Sequence, residues 1–294
     1  MLAALASLDA AGVASIILKA LVYASSLLAA GSALFVVAFP MAPTAAARTA
    51  RHLAVWSALV AILLSIARLG SRAVFLGGGD PGMALDPVLL GVVIDSPLGT
   101  STIVRVAGLV LVLGVVLPGR AGVWSVVVGA IATAMSFALV GHALGEPRVL
   151  LAVLLTVHVL AVAFWVGALA PLRRAALALP ETETGHLANA FGRKAIWSVA
   201  MLVAAGGALI LLLTGAPLPS ADAGYGQGLI LKLIAVAALI GLAALNKLRL
   251  TPALVRGDRA AARSLARSIE IEIALILVVL LATATVTTLT SPTG

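Results

Sequence analysis

The sequence predicts an all-α membrane protein, a bundle of eight transmembrane helices with both termini on the outer, periplasmic side. Of the 294 residues, 62% are hydrophobic and only 10% are charged, whereas soluble domains carry roughly 25% charged residues. The apolar residues also lie in long runs, and a run of about 20 residues spans a hydrocarbon layer ~30 Å thick. The number of apolar runs predicts the number of helices, and the basic residues between the runs predict the orientation of the protein in the membrane.

The eight apolar runs lie near residues 13–39, 53–75, 99–117, 122–142, 149–172, 195–214, 227–248 and 268–290. Each forms a helix that satisfies its own backbone hydrogen bonds, as lipid requires. Gly- and Pro-containing stretches mark the breaks: FPMAP at 39–43, GGGDPG at 77–82, PGRAG at 118–122, GEPR at 145–148 and GAPLPS at 215–220. We divide the chain into an N-terminal four-helix half, 1–142, and a C-terminal four-helix half, 143–294.

The basic residues between the helices predict which loops face the cytoplasm, because cytoplasmic loops carry an excess of Lys and Arg. The stretches after helices one, three, five and seven hold 13 basic residues, and the opposite loops hold only Arg72 and Arg148. We therefore expect the polar stretches 173–194 and 247–267 to be cytoplasmic loops. The 13 residues are Arg48, Arg51, Arg120, Arg173, Arg174, Arg193, Lys194, Lys247, Arg249, Arg256, Arg259, Arg263 and Arg267.

Several classes of function are excluded by the sequence. There are no cysteines, so thiolate metal sites, disulfides and Cys nucleophiles are absent. The net charge of +8 follows membrane topology and does not indicate nucleic-acid binding. No Walker loop, GxSxG or HExxH motif is present, so we expect neither an enzyme nor an ATP-driven pump. The start, MLAALASLDAAG, lacks the basic region of a signal peptide.

Three side chains are candidate metal ligands. His158 is nine residues past the expected outer start of helix five, about 14 Å deep at 1.5 Å per residue. His142 is expected at the outer end of helix four, and Met135 seven residues earlier on the same helical face. Antiparallel packing of the two helices would place Met135 near the depth of His158. Imidazole and thioether both suit copper. The alternatives are a hydrogen bond from the buried His to a neighbouring Ser, Thr or carbonyl group, and a packing role for Met135.

Helix five carries two different faces. Trp165 follows His158 on one face and is interpreted as a packing residue. Ala163, Gly167 and Pro171 form a second face of small residues, which allows a neighbouring helix to approach closely. His158 is therefore expected to face a different helix contact from Gly167.

Other polar residues divide between the two membrane surfaces. The outer acids Asp95, Glu146 and Asp222 can enrich cations near an entrance through their negative potential. Four basic residues lie within helices: Lys19, Arg68, Arg105 and Lys232. Their side chains are expected to snorkel outward to the outer acids, and a ligand vestibule is the alternative. Near the cytoplasmic side, His52 and His186 are expected to face solvent. Glu270 and Glu272 are expected at the start of helix eight, where a carboxylate suits the positive helix end, with a proton or ion role for either as the alternative.

The second half of the chain resembles a known family. Two consecutive stretches are similar to a GHA turn and an LH…WxGGL helix. They are GHALGEPR and LLTVHVLAVAFWVGALAPL, with Trp165 and Gly167 at the matching positions. The YG…L..K and N…L.P elements follow in order, at Tyr225, Lys232 and Asn246. These features resemble CopD, an inner-membrane copper resistance or copper import protein family. The resemblance covers residues 135–292, while the first four helices match in number and hydrophobicity only.

The resemblance implies a protein of the bacterial cytoplasmic membrane that moves copper, with His142 as an outer ligand and His158 as a mid-membrane ligand. It also implies a periplasmic copper carrier of the CopC type as a partner, besides membrane lipid. A b-type haem electron carrier is the alternative, but the ~14 Å difference in depth between the two His disfavours bis-His ligation and leaves His158–Met135 ligation open. A non-catalytic assembly subunit is the third possibility.

Overall fold

The computed structural model describes residues 10–215 and 224–289, and the side chains of residues 10, 11, 142, 143, 224 and 225 lie outside that description. The described residues are helical, without a strand. Eight of the helical segments are long and apolar enough to cross a membrane, which confirms all eight predicted spans. The α-helices are α1 Ala10–Ala38, α2 Thr44–Leu76, α3 Pro87–Ile94, α4 Pro97–Val112, α5 Gly119–Met135, α6 Arg148–Ala178, α7 Glu181–Thr214, α8 Gly224–Leu245, α9 Thr251–Val255 and α10 Arg259–Leu289.

Two spans continue past their α-helix in a tighter turn, and one passes through a wider turn. A 3₁₀ turn extends α4 to Val116, and another extends α5 to Leu139. A π turn, Asn246–Leu250, joins α8 to α9 within one continuous span. The short helix α3 lies between α2 and α4, where the sequence predicts only a loop.

Proline and short polar side chains determine where helices begin. Pro87 and Pro97 occupy the first turns of α3 and α4, where a missing backbone N–H costs nothing. Asp86 accepts hydrogen bonds from the N–H groups of Val88 and Leu89, at 3.1 and 2.9 Å, and Ser96 caps α4 in the same way. These prolines and side-chain caps therefore account for the starts of α3 and α4.

The predicted cytoplasmic loops 173–194 and 247–267 are wrong in one respect, because most of these residues are helical. Only Leu179 and Pro180 separate α6 from α7, and residues 256–258 separate α9 from α10. Lys and Arg are good helix formers, so the helices continue beyond their apolar stretches until Pro180 and Gly257, at φ +85°, interrupt them. Arg173 of α6 contacts Glu270 of α10, with Nε 2.9 Å from Oε1.

The small-residue face of α6 packs against α1, as predicted. A Cβ atom on Gly167 would overlap the backbone of Gly31 and Ser32, and one on Gly31 would overlap the carbonyl of Ala163. Backbones approach this closely only where side chains are absent. α1 thereby connects the N-terminal half to α6 of the C-terminal half. The division at residue 142 stays a prediction, and so does the outer location of the termini.

Candidate functional site

His158 lies on α6 and faces α7. Ten residues separate it from Arg148 at the start of the helix, a rise of about 15 Å. The half-buried imidazole places Nδ1 3.3 Å from the carbonyl oxygen of Leu202. One turn along α7, a Cβ on Gly206 would lie 3.2 Å from both Nδ1 and Cε1. The glycine therefore gives the imidazole room to approach α7.

The hydrogen bond to Leu202 determines which ring nitrogen carries the proton. A carbonyl oxygen can only accept, so Nδ1 of neutral His158 is assigned as the N–H donor. Nε2 then keeps its lone pair. Metal-binding histidines commonly show this arrangement, with one ring nitrogen bonded to a carbonyl and the other bound to the metal.

A second polar group lies farther along the same face of α6. The indole Nε1–H of Trp165 donates to Oε2 of Glu272 at 3.0 Å, and Nδ2 of Asn246 donates to Oε1 at 2.6 Å. Glu272 is only 2% exposed. Both carboxylate oxygens therefore accept a hydrogen bond from a neutral donor, which stabilises a buried negative charge. The prediction that Trp165 serves packing is incomplete, because its indole also orients this carboxylate.

These three side chains line a cavity of about 250 Å³. Its walls come from α6, α7, α8, α9 and α10, and they are mainly apolar, with Lys247 and Thr251 as further polar residues. Oδ1 of Asn246 is buried and has no hydrogen-bond partner among the described residues. The cavity therefore holds one buried carboxylate and one free carbonyl oxygen inside the helical bundle.

The π turn after α8 places Asn246 at this cavity. Pro252, one residue into α9, has no backbone N–H and interrupts the regular helical ladder. The hydroxyl of Thr251 donates to the carbonyl oxygen of Asn246 at 2.8 Å and supports the widened turn. Such π turns inside helices are frequent at functional sites.

Glu272 is the residue that the sequence analysis placed wrongly. It was expected at the start of the last helix, but α10 begins at Arg259, and Glu272 lies 13 residues later, a rise of about 20 Å. Its neighbour Glu270 is exposed and pairs with Arg173. An acidic residue within a membrane helix is itself a signal of function, and that signal identifies Glu272 once the start of the helix is known.

The expected helical register between His142 and Met135 is wrong. α5 ends at Met135, and a 3₁₀ turn, Val140 in extended conformation and Gly141 at φ +75° follow. The two residues therefore do not share one face of a continuous helix. Met135 is 40% exposed; His142 belongs to a second 3₁₀ turn, Gly141–Leu144, and its side chain lies outside the described part.

The other predicted residues have varied positions. Asp95 ends α3, and Glu146 accepts a hydrogen bond from the N–H of Arg148 at 3.2 Å. Asp222 and the side chain of Tyr225 lie outside the described residues. Lys232 is half-buried on α8 and interacts electrostatically with His158. A cation-attracting role for these acids stays a prediction.

The expected pairing of helix-embedded cations with outer acids does not occur within the described residues. Lys19 donates to the carbonyl oxygen of Thr287 at 2.9 Å. Arg105 is 1% exposed and binds Ser101 and Ser136. The side chains of Lys19 and Arg105 are thus directed into the protein, because hydroxyl and carbonyl groups are available there.

Comparison with known families covers both halves of the chain. Residues 7–147 match the family described as copper resistance protein D-like, N-terminal domain, and residues 185–286 match copper resistance protein D. The prediction that the first four helices match in number and hydrophobicity only is therefore wrong. No curated protein and no solved structure matches the chain. The matches on both sides of α6 show that this multi-pass membrane protein belongs to the copper resistance protein D family, CopD.

Proposed function

We propose that this protein moves copper ions across the cytoplasmic membrane through the interior formed by α6, α7, α8 and α10. The observation that carries the proposal is the convergence of Trp165, Asn246 and Glu272 on one cavity within the membrane-spanning helices. His158 lies seven residues away on the same face of α6, a rise of about 10 Å. Copper is the cargo, and the two polar positions are successive binding steps.

His158 provides the outer step. Its Nε2 is the free ligand atom in the assigned tautomer, and imidazole binds copper in either oxidation state. The positive charge of Lys232, which interacts electrostatically with His158, weakens cation binding there. A weakened site releases its ion, as transport requires.

Glu272 provides the inner step. A cation inside a helical bundle needs a compensating negative charge, because the low-dielectric interior cannot solvate it. The carboxylate of Glu272 supplies that charge, and Oδ1 of Asn246 supplies an additional oxygen ligand. Trp165 positions the carboxylate and does not itself bind the ion.

The entrance on the outer side involves the residues nearest that surface. We propose His142 as the first ligand and Met135 as a weaker one, with Asp95, Glu146 and Asp222 raising the local cation concentration. A CopC-like carrier on the periplasmic side would deliver copper to this entrance. The negative membrane potential of a bacterial cell favours inward movement of a cation, by about 2.3 kcal/mol per charge at 100 mV.

Copper content of cells tests the proposal. Cells that express the parent, His158→Ala, His142→Ala or Glu272→Gln are exposed to copper, and cell-associated copper is measured by mass spectrometry against the amount of protein in the membrane fraction. Glu270→Gln is the matched control, because Glu270 is an acid two residues away that is exposed and pairs with Arg173. We expect Glu272→Gln and His158→Ala to lose most of the copper uptake and Glu270→Gln to keep it.

Two results would contradict the proposal. Copper accumulation at the parental level in both Glu272→Gln and His158→Ala would show that neither residue contributes to transport. A Soret absorption band in the purified parent would favour the haem carrier instead.

A further inference from the structure

Three basic side chains lie close together in the outer half of the N-terminal helices. Lys19 is nine residues from the start of α1, Arg68 is eight residues from the end of α2, and Arg105 is eight residues from the start of α4. These separations correspond to 12–14 Å from the respective helix ends, by a rise of about 1.5 Å per residue. Arg68 interacts electrostatically with both Lys19 and Arg105. The three charges therefore form one cluster, the outer cationic cluster.

The hydrogen-bond partners of this cluster are neutral. The ammonium of Lys19 donates to the carbonyl oxygen of Thr287 at 2.9 Å and to the hydroxyl of Thr288 at 3.1 Å. Arg105 donates from Nε to Ser136 at 3.0 Å and from Nη2 to Ser101 at 3.2 Å. Its guanidinium also lies over the ring of Phe137, 4.6 Å from the ring centre. These groups solvate the cations but leave their charge uncompensated.

Two donors of the cluster remain unused. Nη1 of Arg68 and Nη1 of Arg105 are buried and have no hydrogen-bond partner among the described residues. Arg105 is 1% exposed, so water does not reach it at the surface. The ammonium of Lys19 has three N–H donors and uses two of them in the described part of the chain. Unused donors on neighbouring cations are the arrangement that binds an anion.

Charge compensation requires such an anion. A guanidinium does not lose its proton in a protein, so Arg68 and Arg105 remain charged, and a buried charge without a counter-ion is strongly unfavourable. Two acids between α2 and α4 accept hydrogen bonds from backbone groups: Asp80 from the N–H of Gly82 and Asp86 from that of Val88. No carboxylate in the described ranges forms an ion pair with the cluster.

We propose that the outer cationic cluster binds one phosphate group between α1, α2 and α4. The group is held by the Nη1 donors of Arg68 and Arg105 and by the ammonium of Lys19. Arg favours phosphate because its planar fork matches the oxygen geometry. The phosphate belongs either to an anionic lipid headgroup or to a free phosphate ion. Because Lys19 also binds Thr287 and Thr288 of α10, occupancy of the site stabilises the contact between α1 and the last helix.

Binding is measured on the full chain purified in detergent and washed to remove lipid. Native mass spectrometry counts the phospholipid that remains, and thermal unfolding is followed with added phosphatidylglycerol, phosphatidylcholine or inorganic phosphate. We expect at least one phosphate-containing ligand to raise the unfolding temperature of the parent. A response to phosphatidylglycerol alone identifies a lipid site, and a response to inorganic phosphate identifies a free-ion site; both support the proposal.

Arg68→Gln and Lys19→Met test the cluster without altering the fully buried Arg105. Arg72→Gln is the matched control. Arg72 lies one turn along α2 and also interacts electrostatically with Arg68, but its side chain is exposed and stacks on Phe75 at 4.6 Å. We expect Arg68→Gln to weaken binding about tenfold, the range for one charge-assisted hydrogen bond, and Arg72→Gln to leave it within twofold. Equal losses in both variants would overturn the proposal, since they would report only surface charge.

The two acids outside the described residues, Asp9 and Asp222, provide the last control. In the Asp9→Asn, Asp222→Asn double variant, we expect binding to be unchanged. A clear gain of binding would mean that a carboxylate of this chain already occupies the cluster, and the proposal would be wrong. It would also be wrong if no lipid remains on the parent and none of the three ligands raises its unfolding temperature.

Discussion

Two regions of this protein hold buried charge of opposite sign. In the N-terminal half, Lys19, Arg68 and Arg105 form a cationic cluster without a paired acid among the described residues. In the C-terminal half, Glu272 is a buried carboxylate with neutral donors, at a cavity of about 250 Å³. Positive charge repels a cation in the first region, and the carboxylate attracts one in the second. This difference is the reason why we propose the copper pathway through α6, α7, α8 and α10.

The comparison also separates two ways of stabilising a buried charge. Hydroxyl and carbonyl oxygens surround the cations, including those of Ser101, Ser136 and Thr287. N–H donors surround the anion, from Trp165 and Asn246. The oxygens stabilise the positive charges and the N–H groups stabilise the negative charge, but neither set of neutral groups cancels the net charge of its region. Both regions can therefore still bind an ion of the opposite sign.

The largest expected effect comes from the contact that joins the two regions. Gly167→Ala places a methyl group where the backbone of Gly31 and Ser32 lies, so α1 and α6 must separate. We expect a loss of about 3 kcal/mol or more in the free energy of unfolding, measured by unfolding in detergent. The matched control is Gly207→Ala on α7, where an added Cβ meets no atom within 4 Å.

Gly167→Ala also tests whether the cationic cluster and the carboxylate cavity depend on one another. Because α1 carries Lys19 and α6 carries His158 and Trp165, separation of the helices should disturb both phosphate binding and copper uptake. An equal and small effect of Gly167→Ala and Gly207→Ala would show that α1 and α6 do not approach closely, and the comparison would lose its structural basis.

A smaller effect is expected from the charge of Glu272. In Glu272→Gln, the side-chain oxygen can still accept from Trp165, and the new amide can donate to Oδ1 of Asn246 after that residue rotates its amide. The unpartnered Oδ1 thereby gains a hydrogen bond, while Nδ2 loses the acceptor that Oε1 provided, so the number of hydrogen bonds is unchanged. We expect stability to stay within about 1 kcal/mol of the parent, although copper uptake is lost.

Glu272→Ala provides the contrast, because it removes both acceptors and leaves two buried N–H groups without partners. We expect this variant to lose about 2–4 kcal/mol of stability, measured by the same unfolding experiment. If Glu272→Gln were as unstable as Glu272→Ala, the negative charge itself would hold the helices together, and the carboxylate would be structural.

The sequence predicts the fold much better than it predicts the site. Length and apolar content determine the eight spans, and proline and glycine mark most of their ends, so these predictions are confirmed. The spacing of Ala163, Gly167 and Pro171 correctly predicts a close helix contact, because one helix alone determines which residues share a face. Features within a single helix are therefore accessible from the sequence.

The site depends on contacts between helices that are distant in the chain. Trp165 and Glu272 are separated by 107 positions, and no local pattern connects them. The register of Glu272 was also hidden, because α10 begins nine residues before the expected start at 268. The prediction that His142 and Met135 share one helical face is wrong for a local reason instead, since a 3₁₀ turn and Gly141 interrupt the helix.

The smallest expected effect concerns the outer step of the pathway. Gly206→Ala adds a Cβ 3.2 Å from Nδ1 and Cε1 of His158, so the imidazole must move by a few tenths of an ångström. Such a shift costs less than about 1 kcal/mol in stability, and Gly207→Ala again gives the matched control. The hydrogen bond from Nδ1 to Leu202 is already long, at 3.3 Å, and a small displacement can break it.

Without that bond, neither tautomer of His158 is selected. Nε2 then carries the proton in part of the molecules, and its lone pair is not available to copper there. We expect copper uptake to fall a few-fold in Gly206→Ala while stability changes little, because ligand orientation typically contributes a factor of about 10 or more to metal binding. Unchanged uptake in this variant, together with lost uptake in Glu272→Gln, would remove His158 from the pathway. Among the described residues of the C-terminal half, the carboxylate cavity would then remain as the proposed copper-binding step, and the contrast between the two regions would depend on Glu272.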